Sequence, residues 1–202
     1  MIVSNLYYLP QISWFKEVIH EHEITLEQHD NWQKSSFRNK TVIAGANELQ
    51  TLSIPIIGGR EQKTTYKDIR ICYTDRWQQV HLTAIKSAYS SAPFFEHYVD
   101  YFSPFYEKKT EFLFDYNFEL LQLCFKLLKT ERKILRTDDY KKEIPDALDI
   151  RNSYNTKKEI FKPSKSYIQV FSERQGFQPN VSVIDLLFNE GPETVKYIMD
   201  LK

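Results

Sequence analysis

The chain has 202 residues, with 27 acidic and 27 basic side chains, so its formal net charge is zero. This length suits one domain with a sizeable core, and the charge balance argues against a protein that coats nucleic acid, which usually carries excess Lys and Arg. No signal peptide or membrane-length apolar run is apparent, so we expect a cytoplasmic protein without membrane insertion. Cys72 and Cys124 are expected to be free thiols.

The first third of the chain predicts strands and one short helix. Pro10 should end the first strand, because proline cannot donate to a strand ladder. Strands are predicted from β-branched and aromatic runs, and the helix from apolar residues at helical spacing. The predicted strands cover 2–9, 23–29, the hairpin runs 41–44 and 49–56, and 69–74, and the helix covers 11–20.

Helices dominate the rest of the pattern. Asp75 should cap a helix whose buried stripe is Trp77, Val80, His81, Ala84, Ile85, Ala88 and Tyr89. Helix starts are also predicted at Ser91 with Pro93 and at Ser103 with Pro104, the latter helix continuing to about Lys129. Beyond it we predict strands at 133–136 and 167–171, a capping box of Ser182 and Asp185, and two short C-terminal helices divided at Gly191.

These elements predict an α/β or α+β fold in a single compact domain spanning 1–202. We expect a mixed sheet of about five to six strands, with a helical layer in the middle and C-terminal parts. Residues 138–166 are charged and should be rich in loops.

His81 is the clearest candidate for chemistry among the five histidines. It lies on the predicted buried face between Trp77 and Tyr89. It is either a satisfied core histidine or a group for proton transfer near neutral pH, and the sequence leaves both interpretations open. The remaining histidines match no zinc-ligand spacing, so we predict no metal site and no cofactor.

A basic patch follows the second predicted strand, in the segment NWQKSSFRNK. Its residues are Trp32, Lys34, Arg38, Asn39 and Lys40. They could belong to a solvated edge strand, or they could clamp a phosphate or carboxylate through the guanidinium fork. Polar groups at helix ends, among them Ser182, Asp185 and Asn189, are either caps or ligand contacts.

Several long segments resemble the WbqC-like proteins, particularly their compact Bacteroidetes-type members. They are YLPQISWF, NWQKSSFRNKTVIAGANELQTLSIPI, WQQVHLTAIKSAYSSAPFFEHY and GFQPNVSVIDLLFNEGP, and the likeness covers almost the whole chain. The resemblance implies a bacterial protein of O-antigen or other surface polysaccharide biosynthesis. Within 138–162 it is loose and centres on Asp149 and Arg151, and Lys40 stands where the family commonly has arginine.

What the resemblance implies is a transferase of acyl or aminoacyl groups, with glycyl as one candidate, that acts on a sugar or nucleotide sugar. The expected catalytic residues are His81 as general base and Asp185. The expected substrate-binding residues are Tyr8, Trp14, Lys34, Arg38, Asn39, Lys40, Trp77, Tyr89, Ser182 and Asn189. The alternative is a non-catalytic module that binds a glycan or a partner protein through an exposed platform of aromatic residues, with His81 as a packing residue. Separately, Tyr8 and Trp14 either line a pocket or pack in the core. No nucleic-acid partner is expected. The sequence does not indicate whether the protein is a monomer or an oligomer.

Overall fold

The strands form two separate sheets around a shared core. The structure, a computed structural model, describes residues 1–34, 36–59, 62–151, 153–154, 161 and 163–201. Within these residues a four-stranded parallel sheet has the order β5-β2-β1-β6, and β3 pairs with β4 in an antiparallel hairpin. The strands are β1 (Ile2–Asn5), β2 (Glu23–Glu27), β3 (Lys40–Ala44), β4 (Leu49–Ser53), β5 (Lys133–Arg136) and β6 (Leu148–Asp149).

The predicted α/β class is therefore confirmed, although the strands do not join into one mixed sheet. Both edges of β1 are occupied by the parallel partners β2 and β6, and the hairpin strands pair with each other. All four residues of β1 are buried, as expected for a parallel strand that is covered on both faces. The carboxyl ends of β1, β2 and β6 place Asn5, Glu27 and Asp149 along one edge of this sheet.

The helices largely follow the predicted apolar stripes. Their bounds are α1 (Ile12–Val18), α2 (Trp77–Tyr89), α3 (Phe95–Phe102), α4 (Leu113–Leu127), α5 (Ser172–Gln175), α6 (Val183–Glu190) and α7 (Thr194–Met199). Short 3₁₀ helices span Tyr66–Asp68, Ser103–Tyr106 and Gly191–Glu193. The long helix predicted from Ser103 is divided, because the backbone at Phe112 is extended before α4 begins.

Three predicted helix details are wrong. The N-cap position of α2 is Arg76 rather than Asp75, and Val80 points outward, 59 % exposed. Ser182 does occupy the N-cap position of α6, but its hydroxyl makes no capping bond. The predicted capping box with Asp185 is absent because both side chains bond elsewhere in the interior.

Two predicted strands are also wrong. Residues 69–74 make only isolated bridges, at Arg70 with Phe112 and at Ile71 with Ile56. Residues 167–171 alternate between buried and exposed side chains, with Ile168 82 % exposed, but no neighbouring strand pairs with them in the described part of the chain. Strand-like alternation reports burial on one face, and it does not require a partner strand.

The first strand is shorter than predicted. It ends at Asn5, and residues 6–10 leave the sheet in a buried turn, so Pro10 does not terminate the ladder itself. Within the described residues no helix is long and apolar enough to span a membrane. Cys72 and Cys124 are free thiols.

Candidate functional site

The turn after β1 is where several predicted site residues meet. Leu9 is buried in a left-handed conformation (φ 42°), which is costly for a bulky side chain. Its carbonyl oxygen accepts hydrogen bonds from Thr41 Oγ1 at 2.8 Å and Ser182 Oγ at 2.9 Å. Two hydroxyls from distant segments therefore hold the turn in place, and this explains the bonding of Ser182 away from its own helix.

A narrow hollow lies beside this turn. Its volume of about 10 Å³ admits roughly one water molecule. The hollow brings together the predicted residues Tyr8, Trp14 and Lys40, and its lining is completed by Tyr7, Leu9, Pro10, Gln11, Phe37, Thr41 and Tyr154. A substrate larger than a water-sized group would need the wall of this hollow to move.

On its other side, Tyr8 enters a cluster of rings that we call the aromatic–histidine cluster, formed by Tyr8, Trp77, His81, Tyr106 and Tyr116. Tyr8 stacks on His81 with ring centroids 5.7 Å apart, and Trp77 meets His81 edge-on at 5.1 Å. The Tyr8 hydroxyl lies 3.0 Å from His81 Nδ1 and 2.8 Å from the Tyr106 hydroxyl. The predicted site residues Tyr8, Trp77 and His81 thus share one cluster. Tyr106 and Tyr116 also belong to it, and no sequence pattern set these two tyrosines apart from the others.

The environment of His81 keeps its imidazole neutral. The residue is 3 % exposed, and burial lowers the pKa of His81 to about 4, although a backbone hydrogen bond to Ser53 opposes the shift. The Tyr8 hydroxyl is hydrogen-bonded to both His81 Nδ1 and the Tyr106 hydroxyl. The result is a chain of two hydroxyls that ends on the neutral imidazole.

A second cluster surrounds Asp185, which is fully buried. Its carboxylate accepts hydrogen bonds from Tyr167 at 2.5 Å, Tyr89 at 2.9 Å and Gln169 at 3.0 Å. Asn189 adds a longer contact at 3.4 Å. Burial raises the pKa of Asp185, while these donors counteract the shift. The structure thus groups the predicted residues Tyr89, Asp185 and Asn189.

A third cluster surrounds Arg38 at the carboxyl edge of the parallel sheet. The side chain is 0 % exposed, and its Nη2 donates to Asp30 Oδ2 at 2.5 Å and to Asn5 Oδ1 at 3.0 Å. Nη1 donates to the Asn31 carbonyl at 2.8 Å. The two terminal guanidinium nitrogens, which were predicted to bind a phosphate or carboxylate, are therefore bonded mainly to protein groups.

The other patch residues point elsewhere. Asn39 donates its amide to the Ile54 carbonyl at 2.8 Å and so ties β3 to the chain after β4. Lys34 is exposed. Among the described residues no hydrogen bond, ion pair or ring contact joins Arg38, His81 and Asp185 directly. The turn after β1 connects the three clusters instead. The Tyr8 amide donates to the carbonyl of Phe37, which precedes Arg38, and the Tyr8 hydroxyl bonds to His81. The Leu9 carbonyl accepts from Ser182, which lies at the start of the helix that carries Asp185.

A buried ionic group next to Arg38 was not among the predicted site residues, although the family resemblance in 138–162 centres on two of its members, Asp149 and Arg151. Arg151 donates to Glu27 at 3.1 Å and to Asp149 at 2.6 Å, and its backbone carbonyl accepts from Asn5 Nδ2 at 2.6 Å. Hydrogen bonds from Arg151 lower the pKa of Asp149. No group of His, Cys, Asp and Glu in the described ranges could hold a metal ion.

This geometry defines an α/β protein with a small parallel sheet, a strained turn after its first strand, and buried polar clusters on either side of that turn. The chain belongs to the WbqC-like protein family, which matches residues 6–163 and 151–197.

One relative with a curated sequence is "Uncharacterized protein Rv1507c" of Mycobacterium tuberculosis (strain ATCC 25618 / H37Rv). The two are 26 % identical over 227 aligned residues, which cover 98 % of this chain and 96 % of that protein. No solved structure matches the chain.

Proposed function

We propose that the protein is a cytoplasmic transferase of bacterial surface polysaccharide biosynthesis, including O-antigen assembly. It would move an acyl or aminoacyl group, with glycyl as one candidate, onto a sugar or nucleotide sugar. Membership of the WbqC-like family supports the pathway. The observation that carries the chemistry is the hydrogen bond of 3.0 Å between His81 Nδ1 and the Tyr8 hydroxyl at the strained turn, with burial keeping the imidazole neutral.

The proposed reaction needs a base at the acceptor. As the acceptor amine or hydroxyl forms its bond to the acyl carbonyl carbon, it loses a proton, and the hydroxyl chain delivers a proton to His81 Nδ1. His81 then returns a proton to the leaving group of the donor, so the enzyme ends in its starting state. Because the imidazole is already neutral at pH 7, no ionisation has to precede the reaction.

The remaining predicted residues would bind and orient the substrate. Lys40, Tyr8 and Trp14 line the hollow that a substrate would widen. Arg38 would contribute the N–H groups that its protein partners leave unused. Lys34 is exposed and would contact the substrate directly, whereas Asn39, Trp77 and Tyr89 would position the groups that do so from their places within the protein. Asp185 would lie behind the turn with Ser182 and Asn189.

The test is a transfer assay with the purified protein, in which acyl and aminoacyl donors are incubated with nucleotide sugars and products are detected by mass spectrometry. His81→Asn keeps a hydrogen-bond acceptor near the position of Nδ1 but cannot take up the proton, so turnover should fall at least 100-fold with little change in fold. His20→Asn, at an exposed histidine after α1, is the matched control and should retain full turnover. An active His81→Asn enzyme would exclude the proposed base.

The near-complete burial of His81 and Asp185 favours a second candidate, a non-catalytic module that binds a glycan or partner protein. A thermal-shift panel separates the two. Stabilisation by a nucleotide sugar that is lost in Arg38→Lys supports the transferase, whereas stabilisation by polymer alone supports the module.

A further inference from the structure

The two buried arginines at the carboxyl edge of the parallel sheet differ in how completely they are bonded. All five N–H groups of Arg151 have acceptors: Nε and Nη2 bind Asp149, Nη1 binds Glu27 and the Lys141 carbonyl, and Nη2 also binds the Lys142 carbonyl. Arg38 uses three of its five, through Asn31, Asn5 and Asp30. Its Nε is buried and has no partner in the described part of the chain.

A second unused donor lies in the same cluster. The indole N–H of Trp32, whose side chain is 8 % exposed, is also buried without a partner among the described residues. Both residues contact the ring of Tyr66: the Arg38 guanidinium carbon is 4.9 Å from the ring centroid, and the Trp32 ring is 6.2 Å away. A buried donor that stays unsatisfied costs about 1–3 kcal/mol, and more when it is charged. Two such donors lie against the same ring.

Trp32 lies in a polar turn in which Asn31, Gln33 and Lys34 are exposed, while Arg38 is fully buried against Tyr66. The Asp30 carboxylate and the Asn5 amide oxygen both accept from Nη2 of Arg38 and fix the guanidinium, while Nε, whose N–H shares an edge with one Nη2 N–H, stays unpaired among the described residues. Asp30 also offsets the positive charge of Arg38, so directed N–H groups rather than a net charge would select the ligand.

We propose that Arg38 Nε and the Trp32 indole N–H form a subsite for an oxyanion of the substrate, a carboxylate or a phosphate. The inference deepens the proposed function and rests on it only for the identity of the molecule that carries the oxyanion. Trp32 thereby becomes a substrate-binding residue in addition to those predicted from the sequence.

The experiment measures binding rather than turnover, by isothermal titration and thermal shift with inorganic phosphate, acetate and neutral acetamide as probes. We expect saturable binding of phosphate or acetate, and whichever anion binds more tightly identifies the chemistry. Trp32→Phe removes the indole N–H and keeps an aromatic ring, so it should weaken anion binding about tenfold. The unliganded variant should be at least as stable as the wild type, because it no longer buries an unpaired donor.

Arg38→Lys should also lose binding, and if it fails to fold, Trp32→Phe decides the matter. Arg132→Lys is the matched control, since the half-buried Arg132 also has a buried Nε without a partner among the described residues but lies just before β5. It should bind like the wild type. Wild-type binding in Trp32→Phe, loss in Arg132→Lys, equal binding of acetamide, or no anion binding at all overturns the subsite. A protein that binds anions but transfers no group would refute the proposed reaction alone.

Discussion

The charge state of His81 links the candidate site to stability. Its pKa is about 4 in the folded protein and near 6.5 in an unfolded chain, so between these values the unfolded state binds the extra proton. The free energy of unfolding should therefore decrease as the pH falls from 6.5 to 4, by roughly 3 kcal/mol from this residue. The free energy of unfolding, measured by urea denaturation at several pH values between 4 and 7, tests this expectation.

His81→Asn is the reference for that measurement, because it removes the titrating ring. The stability difference between wild type and variant should shrink as the pH falls through this window. Asp185, whose pKa is raised, has the opposite dependence, losing stability as the pH rises above its unfolded value, but it is present in both proteins and cancels. A constant difference between pH 7 and pH 4 would mean that His81 is not held neutral.

Asp185 is an acceptor with no cationic partner among the described residues. Replacing it with asparagine substitutes an N–H₂ group for one oxygen, which then faces a donor from Tyr89 or Tyr167. We expect Asp185→Asn to lower the free energy of unfolding by about 1–3 kcal/mol. Asp100→Asn, at an exposed position of α3, should change it by less than about 0.5 kcal/mol. Equal effects of the two changes would contradict the proposed bonding.

At the scale of elements, Gly191 sets the break between α6 and α7. It has φ 54° and ends α6, and a Cβ atom there would lie 2.5–2.7 Å from the ring of Phe94. Gly176 also has a positive φ, 72°, but its Cβ would meet nothing within 4 Å. Gly176→Ala should therefore cost only the backbone strain, about 1–3 kcal/mol, and Gly191→Ala about 1–3 kcal/mol more from overpacking. Thermal unfolding of both variants tests this, and similar losses would exclude the clash.

The elements that could be predicted from sequence are those whose stability is local. The apolar spacing in α2 and α4 and the turn residues of the β3–β4 hairpin indicate their structures directly. The segment 167–171 could not be predicted in this way, because its alternation reflects burial of Tyr167 and Gln169 against Asp185 rather than strand pairing. The two-residue β6 lies in a charged segment, and its pairing with β1 depends on long-range contacts.

The candidate site, too, could be predicted only where local sequence spacing determines it. Tyr8, Trp77 and His81 meet because neighbouring positions on the face of α2 pack on one turn, so aromatic residues at helical spacing were a usable signal. The separation of Arg38, His81 and Asp185 into three clusters could not be predicted, because it depends on how the turn, the hairpin and α6 pack together. The pairing of Arg151 with Glu27 was missed for a similar reason, since the two residues are 124 positions apart in sequence.

At the scale of the whole molecule, Arg151 fastens the charged segment before β6 to the carboxyl edge of the sheet. It bonds Glu27 at the end of β2, Asp149 in β6, and the carbonyls of Lys141 and Lys142. Arg151→Met should leave the Glu27 carboxylate buried and without its cation, which typically costs 3–5 kcal/mol. Hydrogen exchange in 138–151 should accelerate before the rest of the sheet opens, because the lost bonds are concentrated there.

Two further variants show whether the cost comes from the buried charge. Glu27→Gln combined with Arg151→Met removes the uncompensated carboxylate and should recover part of the lost stability, because a neutral amide is less costly to bury than a charge. Arg136→Met breaks an exposed pair with Asp115 and the contacts of the guanidinium with the rings of Phe114 and Phe118, and should cost at most about 2 kcal/mol. If Arg151→Met were no more damaging than Arg136→Met, the segment would be held by other contacts, and the carboxyl edge of the sheet would not depend on this ion pair.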